Sequence, residues 1–224
     1  MEEFVEICSG GRKFLMARTQ ITRKEFERVT GIAFGDRKKA FGNEDPELRP
    51  VNCVSFYHCL VYCNLRSIQE NLEPCYTISG SARPAKWGKI PRLKNDENWH
   101  SVSCNFESSG YRLPVKAEWE YAAGASSGYK YSGSDNLDEV GWYYGNSSGR
   151  AHQVALKKPN EYGLFDMSGN VNEWGWDKRH DDRRITFGGG FGQWDLCCEI
   201  LNPGWYSETS IYDVLGFRVV KNVS

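Results

Sequence analysis

Cysteine and histidine are the residue types in this chain best suited to redox chemistry and to soft-metal binding. Eight cysteines and four histidines are present. No two cysteines form a Cys-x-x-Cys pair, and the histidines are not spaced with them as zinc ligands. Cys59 and Cys63 lie four residues apart in an apolar, helix-like stretch, which predicts small buried side chains on one face. The even number also permits disulfide bonds, but no spacing demands them. The cysteines are Cys8, Cys53, Cys59, Cys63, Cys75, Cys104, Cys197 and Cys198.

Aromatic residues near the C-terminus form a second chemically distinctive group. Residues 191–217 include Trp194, Trp205, Tyr206 and Tyr212, and this segment contains no lysine or arginine. Its acidic residues are Asp195, Glu199, Glu208 and Asp213. Tyrosine and tryptophan supply a large contact area at small conformational-entropy cost, as they do in antibody paratopes. The alternative is that Trp205 and Tyr212 fill the core of an aromatic-rich fold.

The overall composition excludes some function classes and constrains the fold. Lys and Arg number 28 and Asp and Glu 29, for a formal net charge of −1, which argues against a general nucleic-acid binder. No stretch approaches the roughly 20 apolar residues of a membrane span, and no signal peptide is recognisable. Aromatic residues make up 14% of the chain and glycine occurs 23 times. Large rings and many glycines favour a fold with modest helix and strand content and much ordered loop.

Local sequence patterns predict short elements within one domain spanning residues 1–224. Capping residues mark the starts of two helices, since Ser and Thr side chains accept hydrogen bonds from the first free amides of a helix. The predicted elements are a strand at Phe14–Ala17, a helix with Thr22 as its N-cap, a second helix capped by Ser55, a hairpin and loop region at 66–110, and a third helix ending at Gly124. No repeat or low-complexity linker divides the chain.

Three motifs, in this order, carry a resemblance to a known family. They are Tyr111-Arg112-Leu113-Pro114 with Glu118-Trp119-Glu120-Tyr121-Ala122, the long stretch from Pro159 to Trp174, and Gly188-Gly189-Gly190 with Gly216-Phe217-Arg218-Val219. Together they resemble the formylglycine-generating-enzyme (sulfatase-modifying-factor) family, a branch of the C-type-lectin fold. The resemblance covers nearly the whole chain. It implies an α+β fold of this subtype, with short strands, two to three helices and much ordered loop.

The motif residues also have a structural interpretation. Trp119, Trp174 and Phe217 are expected to be core anchors, each burying on the order of 150–250 Å². Gly163, Gly169 and Gly216 are expected to permit turns that a Cβ atom would obstruct. On this interpretation, the motifs hold the scaffold and need not contact a ligand.

The resemblance provides a test for catalysis. The family's oxidases hold copper with two cysteines, five positions apart, after the glycine turn. Aligning Gly188–Gly190 with that turn places Gln193 at the first cysteine position and Cys198 at the second. A glutamine amide cannot act as a thiolate ligand or redox partner, and Cys197 does not restore the spacing. The related sulfoxide synthases need a histidine-rich iron site, which the scattered histidines do not offer. We therefore expect no catalysis and no required cofactor.

The C-terminal segment from Gly188 onward resembles a different branch of this fold, the variable proteins of diversity-generating retroelements. Their variable regions open with a glycine turn and an aromatic residue and close with Ile/Leu-Gly-Phe-Arg-Val. Here Gly188–Phe191 opens such a region and Leu215–Val219 closes it, which places the variable region at 188–220. The resemblance implies a display surface. The predicted ligand-binding residues are Gln193, Trp194, Asp195, Leu196, Cys197, Gly204, Trp205, Tyr206, Ser207, Ser210, Tyr212, Asp213 and Val214.

These observations favour a non-catalytic protein that recognises a protein or other macromolecular ligand through residues 188–220. One alternative is a copper-dependent formylglycine-generating oxidase. A second is a carbohydrate-binding lectin, although the Glu-Pro-Asn type of signature is absent. The acidic bias of the tail predicts a preference for neutral or basic partner surfaces. We expect no nucleic-acid partner, no membrane span, a monomer, and a location at the cell surface or outside the cell, because a displayed binder must face outward.

A structural calcium ion is a further expectation from the resemblance. In the enzyme family, residues of the middle motif bind calcium, and position-by-position matching gives Asp166, the Gly169 carbonyl, the Val171 carbonyl and Glu173. Carboxylate and carbonyl oxygens are the ligands that Ca²⁺ prefers. The alternative is that Glu173 only bonds to local backbone amides.

Overall fold

The computed structural model describes residues 4–33, 42–92, 96–124, 127–179 and 183–223. Within them the chain is a mixed α+β protein of short elements, as predicted. The strands are β1 (Phe4–Ser9), β2 (Arg12–Ala17), β3 (Tyr76–Thr77), β4 (Ser103–Cys104), β5 (Asn172–Lys178), β6 (Arg183–Phe187), β7 (Gly204–Ser207), β8 (Leu215–Gly216) and β9 (Val220–Asn222). The helices are α1 (Arg23–Thr30), α2 (Phe56–Gln69), α3 (Glu97–His100), α4 (Lys116–Gly124) and α5 (Leu137–Val140).

The predicted helix starts agree with the structure. The Thr22 hydroxyl accepts a hydrogen bond from the Glu25 amide at 3.2 Å, and Ser55 is the N-cap of α2. Helices α1, α2 and α4 correspond to the three predicted ones, whereas α3 and α5 are single turns that were not predicted. The prediction of hairpin and loop for 66–110 was only partly correct. Helix α2 continues to Gln69, and α3 lies in the long connection between the paired strands β3 and β4.

Three sheets organise the described part of the chain. Strands β1, β2 and β9 form an antiparallel sheet, so both ends of the described chain lie together. Strands β3 and β4 form a two-stranded sheet. The largest sheet has the order β7-β6-β5-β8, in which β8 is parallel to β5. Its two outer strands, β7 and β8, both come from the C-terminal segment, so that segment folds as part of the scaffold.

Aromatic side chains fill the core, as the motif interpretation predicted. Trp119, Trp174 and Phe217 are fully buried. Phe217 packs against Tyr62 of α2, with ring centroids 5.2 Å apart, and the Trp174 indole donates to the Val54 carbonyl at 2.9 Å. These three rings belong to two hydrophobic clusters, one beneath α1 and α2 and the other beneath α4.

Candidate functional site

The C-terminal segment 188–220, called the tail below, begins with a turn that requires glycine. Gly188 and Gly189 have φ values of 78° and 65°, a left-handed conformation that side-chain-bearing residues rarely adopt. A Cβ atom on Gly189 would lie 2.7 Å from the Cys197 carbonyl oxygen, and one on Gly188 would lie 2.5 Å from the Met167 carbonyl oxygen. The turn therefore packs directly against neighbouring backbone and fixes the direction in which the tail leaves β6.

The rest of the protein, called the frame below, holds the tail largely through tail main-chain atoms. Such bonds run from Tyr144 N to Gln193 O (2.9 Å), Cys53 N to Tyr212 O (3.1 Å), Asn172 N to Val214 O (2.7 Å), Asn52 Nδ2 to Asp213 O (2.7 Å), Ser168 Oγ to Cys198 O (2.9 Å) and Ile200 N to Lys130 O (3.1 Å). Every tail residue has a main chain, whatever its side chain. These bonds therefore do not depend on which side chains occupy the tail positions.

Several side chains predicted to bind ligand point outward. Trp194 is 67% exposed, Leu196 58% and Tyr212 53%. Asp195 and Asp213 are also exposed. Two large apolar tail residues outside the predicted set are also exposed, namely Leu201, at 78%, and Ile211, at 43%. Large apolar side chains exposed together on one segment are typical of an interaction surface.

The other predicted residues are half-buried: Gln193, Cys197, Gly204, Trp205, Tyr206, Ser207, Ser210 and Val214. Trp205 packs against the cluster beneath α4, and Tyr206 packs against the cluster beneath α1 and α2. The Tyr206 ring lies 5.7 Å from that of Tyr212 and 6.3 Å from that of Trp174. Trp205 thus combines the two roles that were predicted as alternatives. Tyr206, predicted only to bind ligand, also contributes one face to the core and keeps another accessible.

The two positions tested for oxidase chemistry do not form a thiolate pair. The Asn172 amide donates to Gln193 Oε1 at 2.6 Å, and Gln193 Nε2 lies 3.4 Å from the Tyr206 hydroxyl. Cys198 is fully buried, and burial raises the pKa of its thiol to about 12. A thiol with so high a pKa is protonated at neutral pH and is a poor nucleophile and metal ligand. Within the described residues, no three His, Cys, Asp or Glu side chains are grouped to hold a metal ion.

Glu208 does not contribute to the acidic bias that was predicted for the display segment. It is 2% exposed, and its carboxylate accepts hydrogen bonds from the Tyr57 hydroxyl at 2.6 Å and from Arg184 Nε at 2.9 Å. His100 Nδ1 lies 3.4 Å away. Glu199 is half-buried and pairs with Lys130 at 2.9 Å. The exposed acids of the tail are therefore Asp195 and Asp213, and Glu208 holds the tail to the frame.

Tyr144 belongs to the frame and was missed by the sequence analysis. It is 58% exposed, and its ring centroid lies 4.6 Å from that of Trp194, with the ring planes tilted by 49°. Its amide also holds the Gln193 carbonyl. The exposed aromatic surface thus extends from the tail onto the frame. No sequence signal marks Tyr144, because its partner is distant along the chain.

The predicted calcium ligands lie close together, but they surround the side-chain amide of Gln20. Gln20 Nε2 lies 3.1 Å from the Asp166 carbonyl, 3.3 Å from the Gly169 carbonyl, 2.9 Å from the Val171 carbonyl and 3.1 Å from Glu173 Oε1. Asp166 contributes its main-chain oxygen and not its carboxylate. That carboxylate accepts from the Ala155 amide at 2.8 Å, and burial raises its pKa to about 6.

The charge of Glu173 is already paired. Arg218 donates to both of its carboxylate oxygens at 2.7 Å, and the Trp119 indole donates to Oε2 at 2.7 Å. Arg218 and Glu173 are fully buried. With an amide nitrogen among the oxygens and a guanidinium on the one ligating carboxylate, the residues present do not fit a Ca²⁺ ion.

None of the helices in the described part of the chain has the length and apolar character needed to span a membrane.

Comparison with known proteins gives consistent results. The family model described as "Sulfatase-modifying factor enzyme 1-like domain" matches residues 9–223. The chaperone protein LppX of Paenibacillus barcinonensis is 36% identical over 238 residues, covering 93% of this chain and 80% of that protein. A formylglycine-generating enzyme of Streptomyces coelicolor is 33% identical over 134 residues, which is 53% of this chain and 36% of the enzyme.

Among solved structures, Treponema denticola variable protein 1 is similar, with a TM-score of 0.88 and 29% identity, covering 100% of this chain and 92% of that one. The predicted C-type-lectin fold of the formylglycine-generating-enzyme subtype is thereby confirmed. The motifs around Trp119, Trp174 and Phe217, the fold they build and the match over residues 9–223 agree, and the chain belongs to the sulfatase-modifying factor enzyme 1-like family.

Proposed function

We propose that this protein is a non-catalytic binding protein that presents tail side chains to a macromolecular ligand on a rigid frame. The observation that carries the proposal is how the tail is attached. The frame holds Gln193, Tyr212, Asp213 and Val214 by their main-chain atoms, while the side chains of Tyr212 and Asp213 are exposed. Such an arrangement tolerates many different side chains on one backbone.

The chemistry of the outward surface supports a protein as the ligand. Trp194, Tyr144 and Tyr212 offer large, stiff ring surfaces, and Leu196 and Leu201 add apolar area. Aromatic anchors of this kind carry most of the binding energy in protein–protein interfaces. The exposed carboxylates Asp195 and Asp213 favour a partner with a neutral or basic surface. The similarity to Treponema denticola variable protein 1 supports a fold that serves as a scaffold for ligand binding. A binder of this kind is displayed at the cell surface or outside the cell.

The oxidase alternative is less well supported, although a relative carries the name of a formylglycine-generating enzyme. Gln193 occupies the position where the oxidase mechanism requires sulfur, and its amide is engaged by Asn172. The Cys198 thiol is buried, with its pKa raised to about 12. A copper ion would therefore meet one protonated thiol and one amide, and neither is a soft anionic ligand.

A pair of display libraries tests the proposal. In the first, the outward positions Trp194, Leu196, Leu201, Ile211 and Tyr212 are randomised together; in the matched control, the inward positions Phe191, Cys198, Ile200 and Glu208 are randomised. Both are displayed on yeast and selected on lysozyme, a stable basic protein. The outward library should keep wild-type display levels and yield lysozyme binders, whereas the inward library should lose display. Equal loss of display in the two libraries would contradict the proposal.

An independent assay addresses the oxidase. The protein is incubated with copper(I) and a cysteine-containing peptide, and the peptide mass is followed. We expect no saturable copper binding and no conversion of cysteine to an aldehyde. If both occur and both are lost in Cys198→Ser, the protein is an oxidase.

A further inference from the structure

We propose that the Gln20 side-chain amide takes the place of a structural cation, so that the frame of this protein is held together without calcium. The inference is independent of the function proposed above, since it concerns residues outside the recognition surface.

The geometry around Gln20 Nε2 supports this assignment. Four oxygen atoms from the 166–173 segment surround this nitrogen at 2.9 to 3.3 Å. An amide NH₂ group has two hydrogens and a partial positive charge, so it is attracted to such a ring of oxygens. It cannot be a calcium ligand, because it offers no lone pair. A calcium ion would have to lie at the centre of these oxygens, at roughly 2.3–2.6 Å from each. The Gln20 amide nitrogen already occupies that central position.

The amide orientation follows from the same four oxygens. Turning the amide around would point Gln20 Oε1 at them, which places acceptor against acceptor. Oε1 is buried and has no hydrogen-bond partner within the described residues, so no bond of its own opposes the observed orientation. Only a cation at the centre of the ring would favour the opposite orientation, with Oε1 as a further ligand.

The charges around Gln20 also disfavour a cation. The carboxylate of Glu173 faces Gln20 Nε2, and Arg218 already neutralises it through two hydrogen bonds. The side chains of both residues are almost completely inaccessible to solvent. Adding a divalent cation here would bring two more positive charges into the core, close to a guanidinium. The nearby carboxylate of Asp166 carries at most one negative charge, so positive charge would remain uncompensated, and an uncompensated buried charge is strongly unfavourable. The neutral amide satisfies the oxygens without adding charge.

The Gln20 amide links two distant segments of the chain, as a bound cation would do. It joins the segment after β2 to the 166–173 segment, which lies about 150 residues later in the sequence. In that segment the Gly169 amide donates to the Gly188 carbonyl at 2.6 Å, at the start of the tail. Gln20 thus helps to fix the turn on which the tail is mounted.

Thermal unfolding and terbium luminescence test the inference on the purified chain. Melting temperatures are measured in EGTA and in millimolar CaCl₂, and Tb³⁺ is titrated with excitation of tryptophan, because Trp119 contacts Glu173 and would sensitise a bound lanthanide. The wild type should melt at the same temperature in both buffers, within about 1 °C. It should also show no saturable terbium signal that calcium displaces.

The key variant is Gln20→Glu, with Gln20→Ala as its matched control. Glu at this position supplies a second carboxylate ligand, so calcium at about 100 times its dissociation constant should raise the melting temperature by about 5–10 °C. Gln20→Ala should be destabilised and gain no such response. Calcium-dependent melting of the wild type, with calcium-displaceable terbium luminescence, would overturn the inference. So would a folded Gln20→Glu protein indifferent to calcium, because the oxygens would then have no preference for a cation.

Discussion

The buried carboxylate of Glu208 allows the sharpest test of how the tail is built. Glu208 lies in the segment proposed for display, yet its side chain pairs with Arg184 at 2.9 Å and with Tyr57 at 2.6 Å. Glu208→Ala would remove the acceptor from both and leave the Arg184 guanidinium, itself 5% exposed, without this counter-ion. Removing one partner of a buried ion pair typically costs about 3–5 kcal/mol. For a chain of this size, that loss corresponds to a fall in melting temperature of roughly 6–20 °C.

Asp213→Ala is the matched control, because Asp213 is an exposed carboxylate in the same segment and its frame contact uses its carbonyl oxygen. That substitution should change the free energy of unfolding by no more than about 0.5 kcal/mol. Urea denaturation of both variants, with Arg184→Ala and the Arg184/Glu208 double variant to complete a cycle, gives the coupling directly. If Glu208→Ala and Asp213→Ala are equally stable, the tail is not fastened through this carboxylate and the division into inward and outward positions fails.

Three further results are expected. Trp174→Ala, measured by urea denaturation, should lower the free energy of unfolding by about 3–5 kcal/mol, because it empties a fully buried site. Trp194→Ala should weaken binding of a lysozyme-selected variant by about 2 kcal/mol in calorimetry at nearly unchanged melting temperature, whereas Trp205→Ala should reduce both affinity and stability. Burial, reinforced by Arg92, lowers the pKa of His58 to about 4. As the pH is lowered from about 6.5 to 4, the unfolded state therefore binds a proton that the folded state does not, and the free energy of unfolding should decrease by up to about 3 kcal/mol. This decrease, measured by urea denaturation at each pH, should be smaller in His58→Gln.

Structural features set by neighbouring residues could be predicted from the sequence. The cap at Thr22 needs only a hydroxyl three residues before a free amide, and the structure has that bond. The family resemblance placed a turn at Gly188–Gly190, and Gly188 and Gly189 have positive φ. The motif tryptophans were correctly placed in the core, because side chains so large are costly to leave in water.

In the tail, sequence patterns did not predict which side chains are buried and which are accessible. Display and core were alternative predictions for Trp205 and Tyr212. The structure gives Trp205 part of both roles and leaves Tyr212 53% exposed. Strand β7 forms an edge of the four-stranded sheet, so one side of it faces the core while the rest remains accessible. Whether a ring on such a strand binds a ligand depends on what packs against it, and composition does not contain that information.

The sequence by itself determined the family, the α+β class, the aromatic core and the absence of sulfur at position 193. Each of these depends only on residue types and on their spacing along the chain. Only the tertiary structure decided that Glu208 points inward, that Tyr144 joins the exposed surface, and that an amide lies among the predicted calcium ligands. Each of these depends on a partner brought close by folding. Tyr57 lies 151 residues from Glu208, and the oxygens around Gln20 lie 146 to 153 residues away. A side chain's burial and charge environment are properties of the packed neighbours, and the local sequence does not specify them.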